Sequence, residues 1–152
     1  MRKLILTGLL AALPMVALAD DTPEEAAVEA RQGYFLMLAK EMGVLAPMVR
    51  GEAEYNAEAA TLAANNLAAL AKYDLPGLFL PNTAQGQIDD TGALPAIWEK
   101  PEDFQAKFDG YVKGAEAVAA VAGDGKDALV GAFGQLGGSC KACHDDYRAK
   151  GN

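Results

Sequence analysis

The chain has 152 residues, of which 51% are apolar and 22% charged, and its net charge is −8. That length and balance suit one globular domain and exclude wholesale disorder, while 21 Asp plus Glu against 13 Lys plus Arg argue against nucleic acid as a partner, because the acidic excess repels phosphate. Two cysteines and one histidine rule out a framework of disulfides and any metal site built on two imidazoles, so chemistry gathers around Cys140, Cys143 and His144.

The first residues read as an address. Arg2 and Lys3 precede a mostly apolar run over 4–16, and Ala17-Leu18-Ala19 forms a small-x-small cleavage site. This predicts a cleaved secretory signal peptide over 1–19, since the run is shorter than the ~20 residues needed to span a bilayer. A single domain over 20–152 remains; it loses Arg2 and Lys3 and no acid, so the net charge of −8 becomes −10. No later stretch has the length or purity of a membrane span, so the mature chain is expected to be soluble, exported to the periplasm and free of the membrane.

Four segments then have helical composition, over about 24–48, 54–73, 102–122 and 126–149, and almost nothing reads as strand. Thr22-Pro23-Glu24-Glu25 supplies a capping hydroxyl, a first-turn proline and two acids at the positive end of the helix dipole. Val28, Arg31, Phe35, Leu38, Met42, Leu45 and Val49 follow at helical spacing, and Pro47 is expected to distort or end that helix. The second segment carries Tyr55, Ala59, Leu62, Ala63, Leu67 and Leu70, and the third carries Phe104, Phe108, Tyr111, Ala115, Val118 and Ala122. The fourth places Leu129, Phe133, Leu136, Cys140, Cys143 or His144, and Tyr147 on one side. Gly123-Asp124-Gly125 makes a short break, so the third and fourth helices should be antiparallel neighbours. Residues 74–100, with Pro76, Pro81 and Pro95, form a long crossover between helices two and three. The expected fold is all-α, an antiparallel four-helix bundle with one long connection.

Cys140-Lys141-Ala142-Cys143-His144 matches the C-x-x-C-H signature of covalent c-type haem attachment. Thiols one helical turn apart can add to the two vinyl groups, while the adjacent imidazole reaches the iron. A thioredoxin-like pair would sit at the start of a helix near a βαβ pattern, and a structural zinc would need a fourth ligand. The reading is one haem c per chain, held through Cys140 and Cys143, with His144 on the iron. No second histidine exists, so bis-histidine ligation is excluded. Of Met37, Met42 and Met48, only Met42 shares the face of Phe35, and each is more commonly a packing residue than a ligand.

Across the mature chain the sequence resembles cytochrome c prime, the class II c-type cytochromes. The resemblance rests on Arg31-Gln32, on Leu94-Pro95-Ala96-Ile97-Trp98, on Ala132-Phe133-Gly134, and on Ser139 through Arg148 around the haem motif. It implies a five-coordinate, high-spin iron with His144 on one side and an apolar pocket on the other. Phe35 matches the apolar residue that covers the open iron face, a position where low-spin relatives carry a ligating Met. Arg31, on the same helix face, matches a cation for a haem propionate; Gln32 matches a second haem contact, and Arg148 a proximal residue that also suits a helix C-terminus. Phe79, Trp98, Phe133 and Tyr147 are expected haem neighbours. Gly77 follows Leu75-Pro76 where relatives place a tryptophan, so the haem edge differs there.

These features imply a non-enzymatic haem protein for small diatomic gases, nitric oxide first and carbon monoxide second. Phe35 offers no hydrogen bond to dioxygen, and no distal histidine serves as general base for peroxidase turnover. The alternative is an electron-transfer cytochrome whose acidic surface steers a basic periplasmic redox partner. Alanine-rich faces on helices one and two, with the resemblance, imply a homodimer.

Overall fold

The computed structural model describes residues 21–151; the predicted signal peptide and its cleavage site lie outside them. The described chain is helical, with α1 Pro23–Arg50, α2 Ala57–Leu70, the single turn α3 Ala96–Glu99, α4 Pro101–Val121 and α5 Lys126–Tyr147. Among the described residues there is no strand, only two isolated bridges. The four long helices make the expected bundle, packed in the order α1, α2, α4, α5.

The ends of α1 are set locally. Thr22 and Glu25 form a capping box, the Thr22 Oγ1 accepting from the Glu25 N–H at 3.2 Å and the Glu25 carboxylate accepting from the Thr22 N–H at 2.7 Å. The helix runs through Pro47 and stops at Gly51, whose φ of 77° supplies the left-handed cap. Pro47 therefore does not end it: only three residues of helix follow, and the Pro47 carbonyl accepts from the N–H groups of Glu52 and Ala53 beyond the cap. Asn56 caps α2 by accepting from the Ala59 N–H at 2.9 Å.

The α4 stripe is buried along its length from Phe104 to Ala122, as its spacing predicts. Here α4 and α5 approach closely, because a Cβ on Gly114 would stand 2.9 Å from the Leu136 Cα. Leu45, Leu67, Val118, Leu129 and Leu136 are fully buried at the centre, each worth roughly 1.5–3 kcal/mol. Tyr34 and Tyr111 close the core on the α2 side by donating to the carbonyls of Leu70 and Leu67.

Two stripes differ from expectation. On α1 the buried residues include Tyr34, Glu41 and Met48, one position from Phe35, Met42 and Val49, which are less covered. The core line is rotated because α1 serves two partners, α2 and α5, and its apolar surface is wider than one stripe. On α2, Leu62 is 63% exposed and the core contacts come from Ala60, Ala63, Ala64 and Leu67. Small residues at those positions let helices approach, which leaves the larger Leu62 outside.

The crossover, with a 3-10 turn at Pro76–Leu78, returns along one end of the bundle and is pinned to the end of α5. Leu94 N–H donates to the Tyr147 carbonyl at 3.0 Å and Ala149 N–H to the Gly92 carbonyl at 2.8 Å. A second apolar cluster of Ala93, Ile97, Phe104 and Tyr147 fills the space beneath it.

Candidate functional site

The last two turns of α5 carry Cys140, Cys143 and His144, all half-buried. Leu136 and Tyr147 are buried on this helix. Cys140 packs against the main core and Cys143 against the small cluster under the crossover, so the two thiols bridge both apolar regions. Burial pushes the Cys140 thiol up, and burial with the neighbouring Cys140 pushes Cys143 up to about 11. Both stay protonated at neutral pH, unlike the activated thiolate of a disulfide oxidoreductase. Burial, helped by the Arg148 cation, holds the His144 imidazole below its usual value, which keeps the nitrogen lone pair free to ligate.

Opposite His144 stands Phe35 of α1, ring centroids 6.3 Å apart at 66°. Phe35 is 39% exposed although it is a large apolar ring. Gly137, one turn before Cys140 and two before His144, has no heavy atom within 4 Å of where a Cβ would stand. Leu38 and Met42 flank Phe35 as half-buried residues packed against the core, while Met37 is 50% exposed on another face. Paired thiols, an adjacent imidazole and a facing phenyl ring suit a flat apolar macrocycle.

Arg31 is 3% exposed, and its guanidinium is gripped by the crossover. It donates to Thr83 Oγ1 at 2.8 Å, the Thr83 carbonyl at 2.7 Å and Thr91 Oγ1 at 2.5 Å, and lies 4.7 Å from the centroid of Phe79. These partners are neutral, burial lowers its pKa, and part of the fork's donor set remains for an anion. Gln32 is exposed and donates to the Asp90 carbonyl of the same loop. Arg148 is exposed; its backbone pairs with Ala93 and its N–H donates to the His144 carbonyl at 3.2 Å. Trp98, Phe79, Phe104 and Tyr147 pack in that order, with successive centroids 6.4, 4.9 and 5.2 Å apart.

The structure thus brings Cys140, Cys143, His144 and Phe35 together and places Arg31 and Gln32 at the crossover. Three features escaped the sequence reading: the Thr83 and Thr91 grip on Arg31, the bond from Tyr147 to Asp103, and the ion pair of Lys107 with Asp146 at 2.9 Å. The threonines lie in a loop without periodicity, and Asp103 and Tyr147 are 44 residues apart, so only the crossover and the α4–α5 packing reveal these pairings.

The family model described as Cytochrome C' matches residues 26–148. The chain is similar to cytochrome c' of Cereibacter sphaeroides, 44% identical over 99% of both chains, and to cytochrome c-554 of the same organism, 44% identical over 97% of this chain and 95% of that one. Among solved structures it is similar to cytochrome c' from Rhodobacter Spheriodes, with TM-score 0.81 and 43% identity over 84% of this chain and 98% of the other. It is also similar to a nitric oxide complex of a cytochrome c prime variant from Alcaligenes xylosoxidans, TM-score 0.73, 34% identity, covering 85% and 98%. A third is a cytochrome c' with ligand-controlled dimer dissociation, TM-score 0.77, 33% identity, covering 87% and 100%. With half-buried thiols and imidazole in the motif, a facing phenylalanine, and matches over most of its length, the chain belongs to the cytochrome c' family and takes haem c as its cofactor.

Proposed function

We propose that the chain is a periplasmic haem protein whose iron keeps one coordination position open for a neutral diatomic gas, nitric oxide first and carbon monoxide second. The observation that carries this reading is Phe35, a side chain with no ligand atom, 6.3 Å from the His144 ring across the α1–α5 face. Bound haem supplies an iron that changes oxidation state and accepts a small ligand. Cys140 and Cys143 anchor the macrocycle through thioethers and His144 ligates the iron. Phe35 covers the opposite face and gives no hydrogen bond to polar dioxygen. Arg31 is the buried cation for a propionate, with Gln32 beside it. Met42 is a packing residue in this reading.

Optical spectra of the oxidised, reduced and gas-treated mature protein read the coordination number directly. The expected reduced spectrum is five-coordinate and high-spin, shifting on nitric oxide or carbon monoxide; a six-coordinate low-spin spectrum before gas is added overturns the reading. Phe35→Met should convert the iron to the six-coordinate low-spin form, and His144→Ala should abolish the native spectrum.

The second reading, single-electron transfer to a redox partner, is favoured by the charge of −10 on residues 20–152, which steers a basic partner. Fast stopped-flow exchange with basic periplasmic donors, together with weak gas binding, would put it first. A homodimer through α1 and α2 is supported by the exposed Met37, Leu62 and Tyr73 on that side, at 50%, 63% and 50%. Sedimentation at micromolar concentration tests it, a monomer mass being the contrary result. Among the described residues no helix is long and apolar enough to cross a membrane.

A further inference from the structure

The five tyrosines of the chain differ in what their hydroxyls touch. Tyr34, Tyr55 and Tyr111 donate to the backbone carbonyls of Leu70, Ala122 and Leu67, and Tyr73 lies half exposed at the surface. Only Tyr147 donates to a base, the Asp103 carboxylate, at 2.5 Å. The distinction is chemical. A phenol that loses an electron becomes a strong acid, and the electron leaves readily only if the proton has somewhere to go. A peptide carbonyl is too weak a base to take it, whereas a carboxylate can.

Tyr147 is also placed for electron exchange with the haem. Its ring is 4% exposed, and it lies in the small cluster against which Cys143 packs. Asp103, in contrast, is exposed on the first turn of α4. The electron side of the pair is therefore buried next to a thioether residue, and the proton side opens to water. Lys107, one turn further along α4, pairs with Asp146, so the surroundings of Asp103 include a cation and a second acid.

We propose that Tyr147 and Asp103 form a redox-active pair that returns an electron to the haem after attack by hydrogen peroxide. This rests on the haem reading above. Bound haem would supply the two electrons that, with two protons from solvent, reduce peroxide to water. Tyr147 then gives back one electron as its O–H bond breaks; the proton passes to Asp103 Oδ2 and on to solvent, and a neutral tyrosyl radical remains. Two external one-electron donors close the balance, one restoring the phenol together with a proton from Asp103 or solvent and the other supplying the second electron owed to the haem group. In this role Tyr147 protects the macrocycle from its own oxidation at an open iron. Phe104, at 5.2 Å, separates the radical from Phe79 and Trp98, since phenylalanine is hard to oxidise and does not hold the charge.

The test is freeze-quench electron paramagnetic resonance of the ferric holoprotein mixed with hydrogen peroxide, with haem loading checked by the optical spectrum. A tyrosyl signal is expected, narrowed when the protein is made with ring-deuterated tyrosine. It should be lost in Tyr147→Phe, which keeps the ring packing, and retained in Tyr34→Phe. Asp103→Asn should lower its yield and speed haem bleaching, and Asp103→Glu should restore both. An unchanged signal in Tyr147→Phe, a signal from Trp98, or a peroxide reaction that gives no protein radical overturns the proposal. A chain that carries no haem overturns the haem reading instead, and the spectrum separates that failure from the others.

Discussion

The α4–α5 and α1–α5 interfaces share one helix and are built in opposite ways. Against α4, α5 packs until the Gly114 position has no room for a methyl group, only 2.9 Å from the Leu136 backbone. Against α1, its His144 imidazole meets a partly exposed Phe35, and Gly137, two turns before His144, has open surroundings. The first interface is completed by protein atoms and supplies rigidity. The second leaves a large apolar ring partly exposed beside the His144 imidazole, so the same helix closes on protein on one side and stays partly open on the other.

Substitutions can break that contrast. Gly114→Val forces a branched side chain into the Leu136 backbone and should cost about 3 kcal/mol, since overpacking a dense contact shifts backbone as well as side chains; urea denaturation of the holoprotein reads it. Arg31→Met removes three donors to the crossover and should cost about 2 kcal/mol, buried acceptors being expensive to leave. Limited proteolysis should then cut between residues 80 and 94 before any helix. Gly137→Ala ought to behave oppositely to Gly114→Val, gaining roughly 0.5–1 kcal/mol of helix stability. Gly137→Leu should instead reduce covalent haem per chain, measured as the haemochrome, because it fills the face the macrocycle needs.

The smallest effect belongs to the capping box, far from both interfaces. Hydrogen bonds from the Thr22 backbone and hydroxyl hold the Glu25 carboxyl below its usual value. A depressed folded value means the contribution is present at neutral pH and is lost as pH falls through that value. Glu25→Gln should therefore lower the melting temperature slightly at neutral pH and converge with the parent in acid.

Much of the site was legible because its chemistry is local. Cys140 to His144 form one pentapeptide, and attachment of a macrocycle needs that spacing whatever surrounds it. The α4 stripe was legible for a similar reason, since its apolar face lies on a single 3.6-residue period. The α1 face was not, because Tyr34 and Phe35 are both aromatic and adjacent; their opposite fates, buried and partly exposed, depend on where α2 and α5 stand. Leu62 also looked like a core residue until the alanines around it took the contacts.

The sequence by itself determined the helices and the Cys140, Cys143 and His144 motif, because periodicity, capping and covalent chemistry act over a few residues. Tertiary structure decided how Arg31 is held, which tyrosine meets a carboxylate, and which side of α5 closes on protein. Those outcomes join positions such as Arg31 with Thr83 and Asp103 with Tyr147, 52 and 44 residues apart. Only packing brings such partners within hydrogen-bonding distance, and no local spacing encodes it.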